Sequence, residues 1–306
     1  MPVKLLLKEF IYEENTPSCH ASTLVQMGDV TAAAWFGGTY ESHDDVQIWF
    51  AQRENGIWGK PVCVSTAEEV PHWNPVLFDN GAELLLYYKR GKTIPYWQTM
   101  FTRSADGGRT WTEPVLLCAD DNGGRGPVKN KPIRLTDGSI LAGASMEQGD
   151  WRAFTDLSRD NGYTWEKSGL IPLPSEDVQV IQPTLWEDEK GVHLLLRSKN
   201  ERVYRSDSAD GVHWCEAYPL ELVHNNSGLD LVKTPCGLVL CCNPVTKGRT
   251  PLCLMTSADG ITFEKALTLE EEPGEYSYPA VIWDGEKIRG TYTWKREKIV
   301  YFEAAF

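Results

Sequence analysis

An eight-residue phrase recurs along this chain and constrains any fold it can adopt. Ser104–Trp111 reads SADGGRTW and Ser158–Trp165 reads SRDNGYTW. One residue shorter, it returns as SADGVHW at Ser208–Trp214 and SADGITF at Ser257–Phe263, and a worn copy, AQRENGIW, occupies Ala51–Trp58. The closing aromatics fall at Trp58, Trp111, Trp165, Trp214 and Phe263, in steps of 53, 54, 49 and 49 residues. A period of roughly 50 residues means stacked supersecondary units, each with a face that only its neighbour can bury.

The phrase has a physical reading. Asp beside Gly favours a tight turn, because glycine takes positive φ and the Asp side chain accepts hydrogen bonds from nearby backbone N–H groups. Ser or Thr adds a second local bond, and the closing aromatic anchors the turn between neighbouring sheets. The pattern resembles the Asp box, S-x-D-x-G-x-T-W, of sialidase-like β-propellers, and the copies at Ser104–Trp111 and Ser158–Trp165 match it fully. The resemblance implies structural boxes set away from the active face, and so no catalytic role for Asp106, Asp160, Asp210 or Asp259.

Each period contains the same parts. Strands are expected near 21–27, 30–36 and 46–53; 74–78, 83–89 and 99–104; 131–135, 139–145 and 151–158; 182–186, 192–197 and 202–208; and 228–233, 238–243 and 252–257. In each of these a fourth strand follows the closing aromatic. The sixth period has strands near 277–283, 287–294 and 299–305 but no fourth, while 3–12 is a spare strand at the other end. The expectation is an all-β, six-bladed β-propeller of four-stranded antiparallel blades, a single domain over 1–306, with the N-terminal strand closing the last blade. Closure removes open sheet edges. Turn pairs such as Asn80-Gly81 and Asp137-Gly138 join first and second strands as hairpins require.

Composition narrows the function. A net charge of −13 argues against nucleic acid and against anionic membrane surfaces. No window approaches the length of apolar residues needed to span a bilayer. The opening MPVKLLLKEFIYEE has an apolar core of three Leu followed by charges, so it reads as a strand and not as a signal peptide. The eight cysteines form no CxxC pair, which argues against zinc. They read as reduced thiols of a cytoplasmic protein, whose substrate is then an imported oligosaccharide before a cell-surface glycan. No metal or organic cofactor is implied.

In an up-and-down blade the start of the first strand and the end of the second share one face. Polar residues at those places should ring the mouth of the central channel. Strand starts contribute His20, Asn74, Lys129, Lys131, Gln182, Asn226, Asp230, Tyr276 and Tyr278, several of them before a proline at 75, 132, 183 or 279. Strand ends add Lys89, Arg90, Glu147, Arg197, Arg249, Lys295 and Arg296. A basic mouth on an acidic protein points to a small anionic ligand drawn in by the local field.

Over its whole length, and in blades four to six above all, the chain resembles the sialidase superfamily. The resemblance implies arginines holding a substrate carboxylate through paired charge-assisted bonds, a carboxyl acid/base on blade one, and a tyrosine nucleophile in place of Asp or Glu. The stretch IQPTLWEDEKGVHLLLR, from Gln182 to Arg197, is similar to the family's run from the tyrosine-activating Glu to the second arginine. Asn243–Arg249 is similar to the segment of the third arginine, and GEYSYPAVI places Tyr276 as nucleophile. Asp45, in SHDDVQI, stands where the acid/base belongs, with Asp44 its nearest rival. The chain departs from the family twice: His20 replaces the first arginine, and Gln182 replaces the Glu partner, with Glu147 or Asp230 on an adjacent blade as the alternative source of that charge.

The leading expectation is an exo-glycosidase acting on a small acidic saccharide of sialic- or uronic-acid type. Arg197 and Arg249 would hold the carboxylate, with Asp45 as acid/base and Tyr276 as nucleophile or cation stabiliser. Lys131, Asn74, Tyr278, Trp294, Trp73 and Trp97 are candidates to line the sugar site, although packing explains the aromatics equally well. His20 and Gln182 keep two alternatives open, a propeller lyase that eliminates beside a uronate and a sugar-binding propeller without catalysis. The sugar, its linkage and the oligomeric state are not encoded in any motif.

Overall fold

The computed structural model describes residues 2–66, 69–119, 121 and 123–306. Their strands form six antiparallel sheets in ring order. Blade one consists of Ser18–Met27, Val30–Gly38 and Gln47–Glu54, whose outer edge pairs with two short strands, Ile57–Trp58 and Val62–Cys63. Blade two is His72–Asp79, Leu84–Arg90, Gln98–Ser104 and Val115–Leu116. Blade three is Ile133–Arg134, Ile140–Met146, Arg152–Ser158 and Glu166–Lys167. Blade four is Val180–Asp188, Gly191–Ser198, Arg202–Ser208 and Tyr218–Val223. Blade five is Asp230–Thr234, Gly237–Cys242, Leu252–Ser257 and Glu264–Glu270. Blade six takes Tyr276–Trp283, Ile288–Trp294 and Lys298–Ala305, and Lys4–Phe10 completes it by pairing Lys4 with Ala305 and Phe10 with Val300. The six-bladed propeller and its closure are thus as the repeat implied. Among the described residues no helix is long and apolar enough to cross a membrane.

The boxes are latches between blades. In the second blade's box, Asp106 Oδ1 accepts from the Arg109 and Thr110 amides at 3.0 and 2.8 Å, and Thr110 Oγ1 donates to Asp106 Oδ2 at 2.6 Å. Ser104 Oγ accepts from the Gly108 amide at 2.7 Å. Asp160 repeats the pattern with the Tyr163 and Thr164 amides, and the shorter boxes do so through His213 and Thr262. With its carboxylate satisfied internally, each turn is free to offer a backbone carbonyl to the preceding blade. Gln52 donates to Gly107 O, Tyr87 to Gly162 O, Thr155 to Gly211 O and Arg205 to Asp259 O. The aromatics go the same way. Trp58 packs edge-on against Tyr301, Trp111 against Phe50 and Trp165 against Tyr87, while the Trp214 indole donates to Thr155 Oγ1 at 3.0 Å.

At the axis the first strands carry a second repeated device. Ala21, Asn74, Gln182 and Tyr278 all have positive φ, between 39° and 53°, and the pairing register slips at each of the four places. Such a bulge re-aims one side chain out of the strand's alternation. Blade three departs further from expectation. Its chain turns at Lys129, with φ 64°, and the first strand shrinks to Ile133–Arg134 because Lys129 and Asn130 leave the sheet to fill the axis. Lys129 Nζ donates to Asn130 Oδ1, Leu229 O and Pro279 O, and the Asn130 amide donates to Gln182 O and Pro183 O.

On the outer side of blade four, His193 Nδ1 lies 2.5 Å from Asp207 Oδ1 and Nε2 lies 2.9 Å from Asp188 Oδ1. Burial lowers the imidazole's pKa, but the bonds to Asp207 and Asp188 outweigh it and hold the ring above its ordinary value. Two measurements check this account of the fold. Trp165 is 7% exposed, and Trp165→Ala should cost about 3–5 kcal/mol, as aromatic truncations in cores do, read as a lower denaturant midpoint. The charged His193 stabilises fully below its unfolded pKa of about 6.5, and that contribution is lost as pH rises through the higher folded value. The stability gap between the unmutated protein and His193→Gln should therefore shrink on going from about pH 6 to pH 9; a constant gap would show that the ring is not charged.

Candidate functional site

The bulge in blade six puts Tyr278 at the centre of the mouth. Its hydroxyl is 2.7 Å from Arg197 Nη1, and the Arg197 and Arg249 guanidinium carbons each lie 5.7 Å from its ring centroid. The His20 ring lies 4.2 Å away on another side. Beneath it Gly228 leaves the ring room: a Cβ there would press on two Tyr278 ring atoms at 3.1 Å and on Lys129 Cε at 3.0 Å.

Arg197 ends the second strand of blade four and is 7% exposed. Its guanidinium packs over Trp151 at 5.1 Å. Nε donates to Asn226 Oδ1 at 2.9 Å, and Nη1 donates to Gln182 Oε1 at 3.1 Å and to Tyr278. Every one of these partners is neutral. Arg249 and Arg296 are different, since both donate to one oxygen, Glu275 Oε1, at 2.6 and 2.5 Å, and Arg296 also pairs with Glu41. Arg296 comes from the turn after the second strand of blade six, and its carbonyl accepts from the Cys19 amide beside His20. The charge of Arg296 is the first of the cationic influences on the neighbouring His20.

The electrostatics follow from burial and these cations. His20 is 2% exposed; its pKa lies well below the ordinary value, through burial first and then through Arg296, Arg249, Arg197 and Lys129. The ring is thus neutral. Nδ1 is 2.9 Å from Thr293 Oγ1, and Nε2 is buried without a partner. His224, which the sequence did not single out, is also fully buried, with both ring nitrogens unpartnered and its pKa lowered to about 3 by burial and then by Arg197, Lys129 and Arg249. Glu147 follows the second strand of blade three. Burial raises its pKa against the pull of Arg197, a hydrogen bond from Gln182, Lys89 and Lys199. Asp45, on the loop after the second strand of blade one, accepts from the Thr39 amide and hydroxyl at 3.0 and 2.6 Å and lies 2.7 Å from His43 Nδ1. Desolvation, the largest single influence, raises its pKa, but the bonds to Thr39 and His43 together outweigh it and hold it below the usual range. Asp44 pairs outward with Lys92 at 2.8 Å.

The mouth thus gathers His20, Gln182, Arg197, Arg249 and Tyr278, with Glu147 beside Gln182 and Asp45 on the rim loop. Asn74 occupies the matching bulge of blade two, 5% exposed. Six expected residues lie elsewhere. Tyr276 is 1% exposed and packs with Leu252, Leu254 and Tyr292 between blades five and six. The tyrosine at the mouth is Tyr278, because its bulge breaks the alternation that would put both on one face. Trp294 packs edge-on against Phe10 of the closing strand of blade six, with ring centroids 5.4 Å apart. Lys131 and Asp230 form an axial knot: Lys131 Nζ donates to Asp230 Oδ2, Thr184 Oγ1 to Oδ1, and the Val281 amide to Oδ2, all at 2.8 Å. These two tie blades three, four, five and six together at the axis. Trp73 and Trp97 are buried in the core between blades one and two. Trp151 and Glu275, which the sequence did not single out, turn out to hold the arginines. Among the described residues no group of three or more His, Cys, Asp or Glu side chains is placed to hold a metal.

A six-bladed ring with Asp-box latches on its blades and a cationic mouth defines a sialidase-like propeller. The sequence profile of the BNR repeat-like domain matches residues 30–290, and the chain belongs to that family. No curated protein sequence matches the chain significantly. Among solved structures, a protein of unknown function from Dyadobacter fermentans is similar over 100% of this chain and 99% of its own, with a TM-score of 0.83 and 14% identity. A Hadza microbial sialidase has a TM-score of 0.78 and 17% identity over 94% of this chain and 65% of its own. The sialidase of Trypanosoma rangeli, in complex with the inhibitor DANA, has a TM-score of 0.74 and 15% identity over 94% of this chain and 55% of its own. This chain thus spans about two thirds of the first sialidase and just over half of the second, and at these identities the likeness is one of fold.

Proposed function

We propose that the protein is a glycosidase for a small acidic saccharide of sialic- or uronic-acid type, bound at the propeller mouth. The observation that carries this reading is Arg197. A buried guanidinium normally faces a carboxylate, since an uncompensated buried charge is costly. Among the described residues Arg197 has only neutral hydrogen-bond partners, although its charge acts on Glu147, while Arg249 and Arg296 already share Glu275. A ligand carboxylate completes Arg197, with Arg249 across the Tyr278 ring as its second contact. In this reading Tyr278, whose hydroxyl is bonded to Arg197, faces the sugar's reacting carbon as nucleophile or as stabiliser of the developing cation. A neutral phenol meets an anionic sugar without the repulsion that a carboxylate nucleophile would suffer.

His20 supports a second reading, elimination beside a uronate carboxylate. A neutral imidazole with a free Nε2, packed on Tyr278, is suited to abstract a carbon-bound proton. The two chemistries separate by product, since elimination leaves an unsaturated uronate that absorbs in the near ultraviolet and hydrolysis does not.

Fluorophore release from an aryl α-sialoside and an aryl uronide is the direct assay. Arg197→Ala should lower kcat/KM on the accepted substrate by roughly 2–5 kcal/mol, about 30- to 4000-fold, as truncating one partner of a buried charge pair does. Tyr278→Phe should cut kcat, while Tyr276→Phe, altered within the core, should keep it. Full activity in Arg197→Ala would sink the proposal.

A further inference from the structure

Two cations at the mouth are held without a carboxylate, and one indole carries both. Arg197 lies near the end of the second strand of blade four, and Lys199 follows two residues later, just past that strand. Both meet Trp151 of blade three: the Arg197 guanidinium carbon lies 5.1 Å from a Trp151 ring centroid and Lys199 Nζ lies 4.2 Å from it. An aromatic face attracts a cation without cancelling its charge. The hydrogen-bond acceptors are chosen the same way. Arg197 donates to the amide oxygens of Asn226 and Gln182 and to the Tyr278 hydroxyl. Lys199 Nζ donates to Gln179 Oε1 at 2.6 Å, and Gln179 Nε2 donates onward to Asp150 Oδ1 at 3.1 Å, so an amide stands between the ammonium and that carboxylate. Both charges act on Glu147, but among the described residues no carboxylate forms an ion pair with either. Other cations of the mouth are treated differently: Arg249 and Arg296 share Glu275, Arg296 also takes Glu41, and Lys92 takes Asp44. Amide oxygens and an indole fix the direction of Arg197 and Lys199 while leaving their positive charge to be met from outside. Two like charges beside one ring repel, and a ligand with two negative charges relieves that cost.

Resting on the glycosidase reading above, we propose that the substrate is a diacidic saccharide, with the carboxylate of its terminal sugar on Arg197 and a second anionic group, carboxylate or sulfate, on Lys199. The order of the two groups follows from depth. Arg197 is buried and bonded to Tyr278, whereas Lys199 is exposed. The terminal sugar therefore enters the mouth, and the second charge belongs to the adjoining unit at the rim. The residue types suit these places. The planar fork of an arginine matches a carboxylate through two parallel bonds, while a lysine ammonium is a compact point charge that meets a carboxylate or a tetrahedral sulfate alike. Trp151, in contact with both cations, sets their separation and hence the span between the two acidic groups. Lys199 does not touch the reacting carbon in this arrangement, so its contact with the second charge is the same in the ground and transition states and acts on KM, not on kcat.

The test uses the full chain and three disaccharides that share the acid sugar accepted as an aryl glycoside and differ in the second unit, which is neutral, uronic or sulfated. The parent should favour a charged second unit by about 2- to 5-fold in kcat/KM, the size of an exposed charge pair. The gain should lie in KM and fade as salt is added, and the charged unit preferred identifies the second group. Lys199→Gln, with its unfolding midpoint checked against the parent, should abolish the preference; Lys199→Glu should reverse it and Lys199→Arg should keep it. A parent indifferent to the second charge, a preference that survives Lys199→Gln, an equal loss on all three disaccharides in Lys199→Gln, or turnover of the aryl glycoside alone would each overturn the assignment while leaving the glycosidase reading intact. Failure of the parent to turn over any acid glycoside would instead remove the reading on which it rests.

Discussion

The arrangement depends on holding six twisted sheets at fixed angles about one axis, and it does so with carboxylates that are consumed internally. At the rim each Asp box satisfies its own carboxylate with backbone amides, which leaves a turn stiff enough to offer its carbonyl and its aromatic to the blade before it. At the axis Asp230 does the converse. It belongs to blade five but accepts from blade three through Lys131, blade four through Thr184 and blade six through Val281. Blades pinned at both ends cannot splay, and groups on different blades then keep a fixed separation, which is what a preorganised site requires.

That rigidity explains how the mouth tolerates its charges. Burial first, and then the four cations Arg296, Arg249, Arg197 and Lys129, keep His20 neutral. Arg249 and Arg296 would repel each other without Glu275 between them, and Trp151 supports the flat face of Arg197 in place of a counter-ion. The result is a positive mouth on a chain of net charge −13, a distribution that draws anions inward and leaves the outer surface repelling them.

The fold was legible because the box spells out its own hydrogen bonds: Asp, Gly and Thr at fixed offsets leave one turn geometry, and the period counts the blades. The site was legible only in part. Arg197, Arg249, Gln182 and His20 were found from their places at strand ends and starts. The structure brings Tyr278 to the mouth and buries Tyr276 in the core, whereas the likeness of GEYSYPAVI to the family's nucleophile segment pointed to Tyr276. The signal against it was present in the Pro279 that follows Tyr278, matching Asn74-Pro75 and Gln182-Pro183, since the three X-Pro steps mark the bulges that turn the preceding residue inward. Asp230 and Lys131 show a deeper limit. A polar residue near the axis has the same sequence signature whether it meets a ligand or another blade, and only the partner's position distinguishes them. Trp151 and Glu275 had no signature, because their role lies in the arginines they support.

The closure of blade six has a consequence for how the molecule comes to exist. Lys4 pairs with Ala305, so a strand made early in synthesis waits for one made roughly 300 residues later. Contacts of such long sequence separation form slowly, because the entropy of closing the loop is lost before the contact is gained. Until then the ring is an open arc, with the apolar flanks of its first and last blades uncovered and a sheet edge available to other chains. The same pairing that gives the finished propeller no open end therefore makes the unfinished one most vulnerable to aggregation, and the charged Lys4, Lys8 and Glu9 on the waiting strand serve as its protection in the interval.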